Sequence, residues 1–431
     1  MKPKQIDNSQ GRLFQQRLSS QLNPSHELYK LSKIIEWEYF EKEFSGLFIE
    51  NNGASAKPIR LVVGLIMLQQ MNGYSDEGAV DEWVENPYWQ FFCGYDYLQW
   101  IKPIDPSSLS RWRGRLGKDG VEKILQSTIK TALKEGAVSA RSLSRVIADT
   151  TVMEKNITFP TDAKLYYNGI KALVRIAKNN DLVLRQTYTF LSKTALRKSA
   201  QYVHARQMKR AARERKRLKT YLGRVYRDIK SKLVSNPILF TIHEPVLEII
   251  SKVLSQTKES KDKVYSIHEP HVECIAKGKV HKKYEFGCKV SLVITHKDGL
   301  ALSVQAIHGN PYDGHTLKDV LKNSEKLSGV KIKEAFVDKG YRGHSVKEIE
   351  IHISGKKRGL TTWLYKKINR RQAIEPQISH MKNEGKLGRN FLKGRFGDVL
   401  NATLCGVGHN LKLIKRKLFQ PMRFGLNLKT A

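Results

Sequence analysis

A short apolar run, Ala335-Phe336-Val337, stops at Asp338, and Gly340 and Gly343 follow at once. A run this short fits a buried strand, and the glycines turn the chain just beyond it. The carboxylate is thereby left at a strand end, where chemistry gathers in open α/β sheets. The residues that follow carry mostly positive charge, a surround that suits a bound cation together with an anionic substrate. An isolated Asp-Lys-Gly also serves simply to cap a turn. Two further acids in compatible settings, Asp149 and Glu375, favour the functional reading.

The charge of the chain is placed as unevenly as it is large. Formal net charge is +35 over 431 residues, so a polyanion is the expected partner. Residues 1–140 hold 17 basic and 17 acidic residues, so the entire excess lies beyond them. Residues 164–233 carry 20 Lys and Arg against Asp181, Glu214 and Asp228, a net of +17. Arg213, Arg215 and Arg217 lie in the densest part and repel one another unless something anionic neutralises them. Four scattered cysteines form no CxxC pair, which argues against a disulfide framework or a zinc ribbon. Met1-Lys2-Pro3-Lys4-Gln5 leads into polar sequence, and the apolar stretch Leu61 to Met71 is too short for a bilayer. The expectation is a cytoplasmic protein in a reducing compartment, with no membrane partner.

Residues 1–23 are polar and loosely held on this reading, and 24–140 form a helical domain. Leu28, Leu31, Ile34 and Ile35 recur at helical spacing, Lys57-Pro58 opens a second helix, and Ser75 caps a third. Tyr88-Trp89-Gln90-Phe91-Phe92 packs its core. Asp105-Pro106-Ser107 starts a helix with Arg111, Arg113 and Arg115 on its early turns. That helix suits a DNA groove or, equally, a solvated basic face.

From 141 onward the pattern changes. Ser144 to Val152 is a β-branched strand holding Asp149. Ala195 to Lys232 reads as a long basic helix or helical hairpin, with Leu196, Val203, Leu218, Leu222 and Val225 as a thin apolar seam. After a Pro-broken stretch, Tyr284 to Thr295 and Leu300 to Ile307 form a hairpin around His296-Lys297-Asp298-Gly299. A helix from Thr316 to Leu327 precedes the Asp338 strand. A further helix is expected from about Val346, and residues 355–371 form a basic connector. A helix carrying Glu375 and a last one from about Asp398 to Leu418 close the chain.

This order predicts a mixed α/β sheet flanked by helices. Asp149 and Asp338 fall on adjacent central strands, and Glu375 on a helix that covers them. Three such carboxylates repel one another unless they hold hard cations through oxygen. A pair of Mg²⁺ ions roughly 3.5–4 Å apart serves an in-line phosphoryl displacement.

Several stretches together resemble the DDE insertion-sequence transposases of bacteria. They are Ala148-Asp149-Thr150-Thr151 with Pro160-Thr161-Asp162; Tyr284-Glu285-Phe286-Gly287; Gly309-Asn310-Pro311; Val337-Asp338-Lys339-Gly340-Tyr341-Arg342-Gly343; and Ala373-Ile374-Glu375-Pro376 with His380-Met381-Lys382. Residues 59–115 resemble the amino-terminal helical domain of that family. The resemblance implies a ribonuclease-H-like catalytic domain over 141–431, interrupted by a basic helical insertion at about 164–280. It implies Asp149, Asp338 and Glu375 as catalytic, metal-binding acids for two Mg²⁺ ions, with Mn²⁺ as a substitute. The family's helix signature of Tyr, Arg, Glu and Lys is matched by Arg371, Glu375 and Lys382, while Ile368 stands at the Tyr place and Tyr365 lies one turn earlier. Arg371, Lys382, Lys339, Arg342, Arg111, Arg113, Arg213, Arg215 and Arg217 are the candidate DNA contacts.

The activity so implied is cutting at the terminal inverted repeats of the element and joining of the freed 3′ hydroxyl to target DNA. It is carried out by a dimer or larger assembly at the nucleoid. A hydrolysing nuclease of related fold and a decayed, non-catalytic DNA-binding protein are the alternatives. Asp162, Asp313 and Glu285 compete for places among the acids, although Asp162 also suits a helix cap and Asp313 a turn. His344 and His380 could position water, but surface or packing roles explain both. His268, His271, Cys274, His281 and Cys288 suggest zinc, yet their spacings fit no closed site well.

Overall fold

The structure is a computed structural model that describes residues 15–47, 56–276, 283–355, 359 and 361–419. In chain order its elements begin with α1 (Leu18–Gln21), α2 (Glu27–Ile34), α3 (Trp37–Phe44), α4 (Ile59–Asn72), α5 (Asp76–Glu85), α6 (Pro87–Phe92), α7 (Ser107–Lys134), α8 (Ala140–Leu143) and β1 (Arg145–Lys155). Next come α9 (Asp162–Asn179), α10 (Thr189–His204), α11 (Met208–Val234), α12 (Pro237–Ser255), β2 (Glu273–Ala276), β3 (Tyr284–Thr295), β4 (Ala301–Ile307) and α13 (Asp313–Ser328). The chain closes with β5 (Glu334–Val337), β6 (Glu350–Ile353), α14 (Thr362–Asn369), α15 (Ile374–Asn383), β7 (Arg389–Asn390) and α16 (Gly394–Phe419). By packing, the described residues up to Glu154 and from Cys288 onward form one compact unit, and those within Lys155–Gly287 form another.

In the first unit the strands lie in the order β4-β3-β1-β5-β6, with β7 also beside β1. β3 and β4 are an antiparallel hairpin turning at Gly299, whose φ of 78° few other residues adopt. β1, β5 and β6 run parallel. Apolar side chains fill both faces: Ile147, Val290, Leu292 and Phe336 on one, Val146, Val293, Ala335 and Val337 on the other. Burial of each larger side chain contributes about 1.5–3 kcal/mol. The second face shares its core with the amino-terminal helices, since Leu65, Trp83 and Ile124 belong to the same cluster as Val146 and Val337. α16 joins them, packing on α4, α7 and β4. A Cβ on Gly408 would come 2.5 Å from the Gln70 carbonyl oxygen, so only glycine permits that approach.

The second unit is mainly helical. α10 and α11 form a hairpin that turns at Ala205–Gln207, with Arg206 at φ 56°. Leu218, Leu222, Val225, Ile229 and Leu233 line the inner face of α11 and pack with α9 and α12. Val203, expected in that seam, is exposed instead. β2 pairs with the opening of β3, and a buried Lys155–Glu269 ion pair (3.5 Å) ties the end of β1 into this unit.

Further expectations need correction. Within the loosely expected residues 1–23, Leu18 and Leu22 on and after α1 are buried against Phe91. No helix starts near Val346: the alternation of Glu350-Ile351-His352-Ile353 makes β6, and His352 stacks on Phe336. Within 355–371, where 356–358 and 360 lie outside the described residues, Thr361 caps helix α14. The Pro-broken stretch holds the 19-residue α12, started by Asn236 and Pro237 and continuing through Pro245.

Candidate functional site

β1 and β5 place two acids side by side. Arg145, Val146 and Ile147 pair with Glu334, Ala335 and Phe336, and the same register two residues further brings Asp149 level with Asp338. Neighbouring strands lie about 4.8 Å apart. The Asp149 side chain accepts from the Thr150 backbone N–H (2.7 Å). Asp338 caps the turn after β5, accepting from the Gly340 N–H (2.9 Å). The bland role of Asp338 as a turn cap and its placement beside Asp149 thus coexist.

Asp313 stands with this pair, at the first residue of α13. Its Oδ2 accepts from the Thr150 hydroxyl (3.2 Å), and a Cβ on Gly340 would be 3.0 Å from Asp338 Oδ1 and 3.6 Å from Asp313 Oδ2. Lys289 crosses from β3 to Asp313 Oδ1 (2.9 Å) and to the Pro311 carbonyl (2.6 Å), so a buried ammonium balances part of the negative charge. Tyr341 is buried near all three acids. Burial, followed by the nearby charges of Asp149, Asp313 and Asp338, raises its hydroxyl well above its ordinary value. A neutral, buried phenol thus stands close to three carboxylates. The lysine interrupting the apolar run Cys288-Lys289-Val290 was the visible signal for this contact. Tyr341 gave none beyond its place in a motif.

Glu375 is the second residue of α15, whose Ile374 is fully buried in the core. Its side chain is 64% exposed, and one residue connects it to the strand pair. Arg371 reaches Asp149 Oδ2 at 3.3 Å and Glu375 Oε1 at 3.5 Å. A guanidinium therefore stands as a cation between two of the three expected acids. Ile368, at the place expected for Tyr, is buried under the sheet, and Tyr365 is exposed one turn away.

As placed, no three His, Cys, Asp or Glu side chains among the described residues lie close enough to hold a metal ion. The donor set nevertheless fits a hard divalent cation: its acids offer only oxygen, and a positive group already bridges two of them. Glu375 has to turn inward to complete such a site. The rival assignments fare differently. Asp162 sits in the first turn of α9 and Glu285 is buried on β3, both in the second unit. His380 pairs with Glu384 on the surface. Of the proposed zinc ligands, His281 lies outside the described residues and Cys288 is buried in the core under the sheet.

The candidate DNA contacts also separate. Lys339 and Arg342 are exposed immediately beyond Asp338, and Arg213, Arg215 and Arg217 are exposed on α11. Arg111 is exposed on α7, where it bonds to Ser107. Arg113 is not a surface group: 5% exposed, it forms a double hydrogen bond to Asp76 (2.9 and 2.5 Å). Its charge is neutralised inside the helical domain, which removes it from the phosphate-gripping set. Lys382, two turns beyond Glu375, is half-buried at the rim of a cavity.

Residues 16–115 match the family described as Transposase domain (DUF772), and residues 251–405 match Transposase DDE domain. The second span includes Asp338 and Glu375 but not Asp149. The chain is 42% identical over 207 residues to the uncharacterized protein ORF8 in the nfe locus of Rhizobium meliloti, covering all of that protein and 48% of this one. No solved structure matches. Among the described residues no helix is long and apolar enough to cross a membrane.

Proposed function

The chain belongs to the DDE transposases, and from that premise we propose that it binds the terminal inverted repeats of an insertion sequence, cuts at its ends and joins the 3′ hydroxyl to target DNA. The observation that carries this is the level placement of Asp149 and Asp338 at the ends of parallel β1 and β5, with Glu375 one arginine away. The strand order β4-β3-β1-β5-β6, an antiparallel hairpin leading into parallel strands, supports a ribonuclease-H-like core.

Asp149, Asp338 and Glu375 would hold Mg²⁺, or Mn²⁺ in its place. Two such ions, when bound, supply activation of the attacking hydroxyl and stabilisation of the leaving oxygen. The remaining steps belong to side chains. Arg371 leaves the carboxylates for a DNA phosphate, to which its planar fork bonds in pairs. Lys339 and Arg342, directly beyond Asp338, grip the backbone next to the scissile bond, and Lys382 holds it two turns along α15. Lys289 holds Asp313, which in turn accepts from the Thr150 hydroxyl next to Asp149. The exposed arginines of α11 add sequence-independent affinity for the flanking duplex. Two ends have to be joined, so the working form is a dimer or larger assembly on DNA in the cytoplasm, at the nucleoid.

The test is incubation of the protein with an end-containing duplex and Mg²⁺ or Mn²⁺, followed by strand transfer from precut ends. Joined products are expected. Hydrolysis without joining would reduce the protein to a nuclease, and absence of both would leave a DNA-binding protein.

A further inference from the structure

A cavity of about 970 Å³ in the first unit lies beyond the end of α15, and none of the strand-end acids lines it. That volume is at the upper end for small-molecule sites. Its composition is unusual. Lys382, Lys386, Arg389 and Lys393 contribute positive charge, and Phe391 and Phe396 contribute aromatic rings that are 67% and 49% exposed. Of the acids on its wall, Asp76 is already neutralised by Arg113, leaving Glu77.

The chain presents these rings outward at some cost in apolar exposure, and the surrounding backbone is pinned. The Asn390 side chain donates to Asp398 Oδ1 (2.7 Å) and accepts from the Leu392 N–H (2.9 Å). Asn401 donates to the Lys386 carbonyl (2.9 Å), and Leu387 is fully buried. A Cβ on Gly388 would come 2.6 Å from the Lys382 carbonyl oxygen, so glycine lets the loop fold back onto the end of α15. A rigid loop thus holds Phe391 on its outer side. Burial pushes the Lys386 ammonium below its ordinary value, although Asp76 pulls it partly back. An incoming anion would strengthen that pull.

Exposed rings interleaved with cations match the flat faces and phosphates of an unpaired strand. Duplex DNA, with its bases already stacked, offers the rings nothing to cover. Lys382 also links the cavity to the acids: it lies seven residues from Glu375, about 10 Å along the helix. A DNA strand rises about 3.4 Å per nucleotide when stacked and further when opened, so about three nucleotides or fewer span that distance. We propose that this cavity binds unstacked nucleotides of a single DNA strand running to or from the acid cluster, with Phe391 and Phe396 as base platforms and Lys386, Arg389 and Lys393 on the phosphates. The proposal rests on the transposase reading and extends it to the form of DNA the protein holds during cutting.

The experiment measures binding of a labelled single-stranded oligonucleotide and of a blunt duplex to the full chain and to Phe391→Ala, Phe396→Ala and the double variant. Both rings are exposed, so the variants should fold, and unchanged thermal unfolding verifies it. Single-strand affinity should fall roughly 5- to 150-fold for each base that loses its platform. Duplex affinity should change less than about twofold, and Phe391→Trp should retain single-strand binding. Equal losses on both DNAs, or no loss on either, would overturn the cavity assignment while leaving the transposase reading intact. Failure of the unmodified protein to bind either DNA would overturn both.

Discussion

Replacing Arg371 with alanine should make the DNA-free protein bind Mn²⁺ more tightly. The guanidinium lies 3.3 Å from Asp149 and 3.5 Å from Glu375, with its own side chain 13% exposed and that of Asp149 16% exposed. Two unit charges 3.3 Å apart attract by about 5 kcal/mol at an effective dielectric of about 20. Most of this is offset by lost hydration, and the Glu375 partner, at 64% exposure, adds little. A charged hydrogen bond contributes about 1.5–3 kcal/mol net, and that is what a cation must overcome to displace Arg371. Removing the competitor should therefore lower the Mn²⁺ dissociation constant roughly 10- to 150-fold. Calorimetric titration of the unmodified and Arg371→Ala proteins, without DNA, measures it. The same variant should lose cutting, because the phosphate contact goes with the side chain. Unchanged or weaker Mn²⁺ binding would show that Arg371 does not occupy the cation's place.

Three further outcomes concern the acids, α11 and the helical domain. Asp149→Ala or Asp338→Ala should reduce cutting to background while leaving end binding largely intact in a gel-shift assay; surviving cutting would remove that acid from the site. Neutralising Arg213, Arg215 and Arg217 together should weaken DNA binding and flatten its salt dependence by about 0.9 in log–log slope per lost phosphate contact; an unchanged slope would return α11 to a merely solvated face. Asp76→Ala should destabilise the protein by about 3–5 kcal/mol, since it strands the buried Arg113 charge. Burial alone would raise the Asp76 carboxyl, but Arg113 and Gln69 hold it below its ordinary value. Its contribution is therefore complete above the ordinary carboxylate range and is lost as pH falls below about 4. Urea unfolding at several pH values checks this, and equal acid sensitivity of Asp76→Ala and the unmodified protein would refute it.

What could be read from the sequence depended on how local the signal was. The adjacent placement of Asp149 and Asp338 was legible because each ends or interrupts an apolar run, and strands that bury both faces have to sit centrally. Glu375 was placed on its helix by Ile374 and Pro376, but its outward turn and its link through Arg371 arise only in the folded unit. The burial of Arg113 was hidden because its partner Asp76 lies 37 residues away on another helix. β6 was missed because an alternation only four residues long is too short to decide a strand by itself, and pairing with β5 settles its state. Asp313 was judged by its turn alone. Its place beside the strand-end acids emerges from contacts distant in sequence, the Thr150 hydroxyl and Lys289 from a strand 24 residues earlier.

The most direct test is anomalous diffraction from crystals of the protein with an end-containing DNA duplex and Mn²⁺. The prediction is manganese bound by Asp149 and Asp338 with oxygen distances of about 2.0–2.2 Å. Glu375 should have turned inward to complete the site, and Arg371 should have moved onto a phosphate. Manganese bound elsewhere, or Glu375 still paired with Arg371 while the metal is present, would contradict the account.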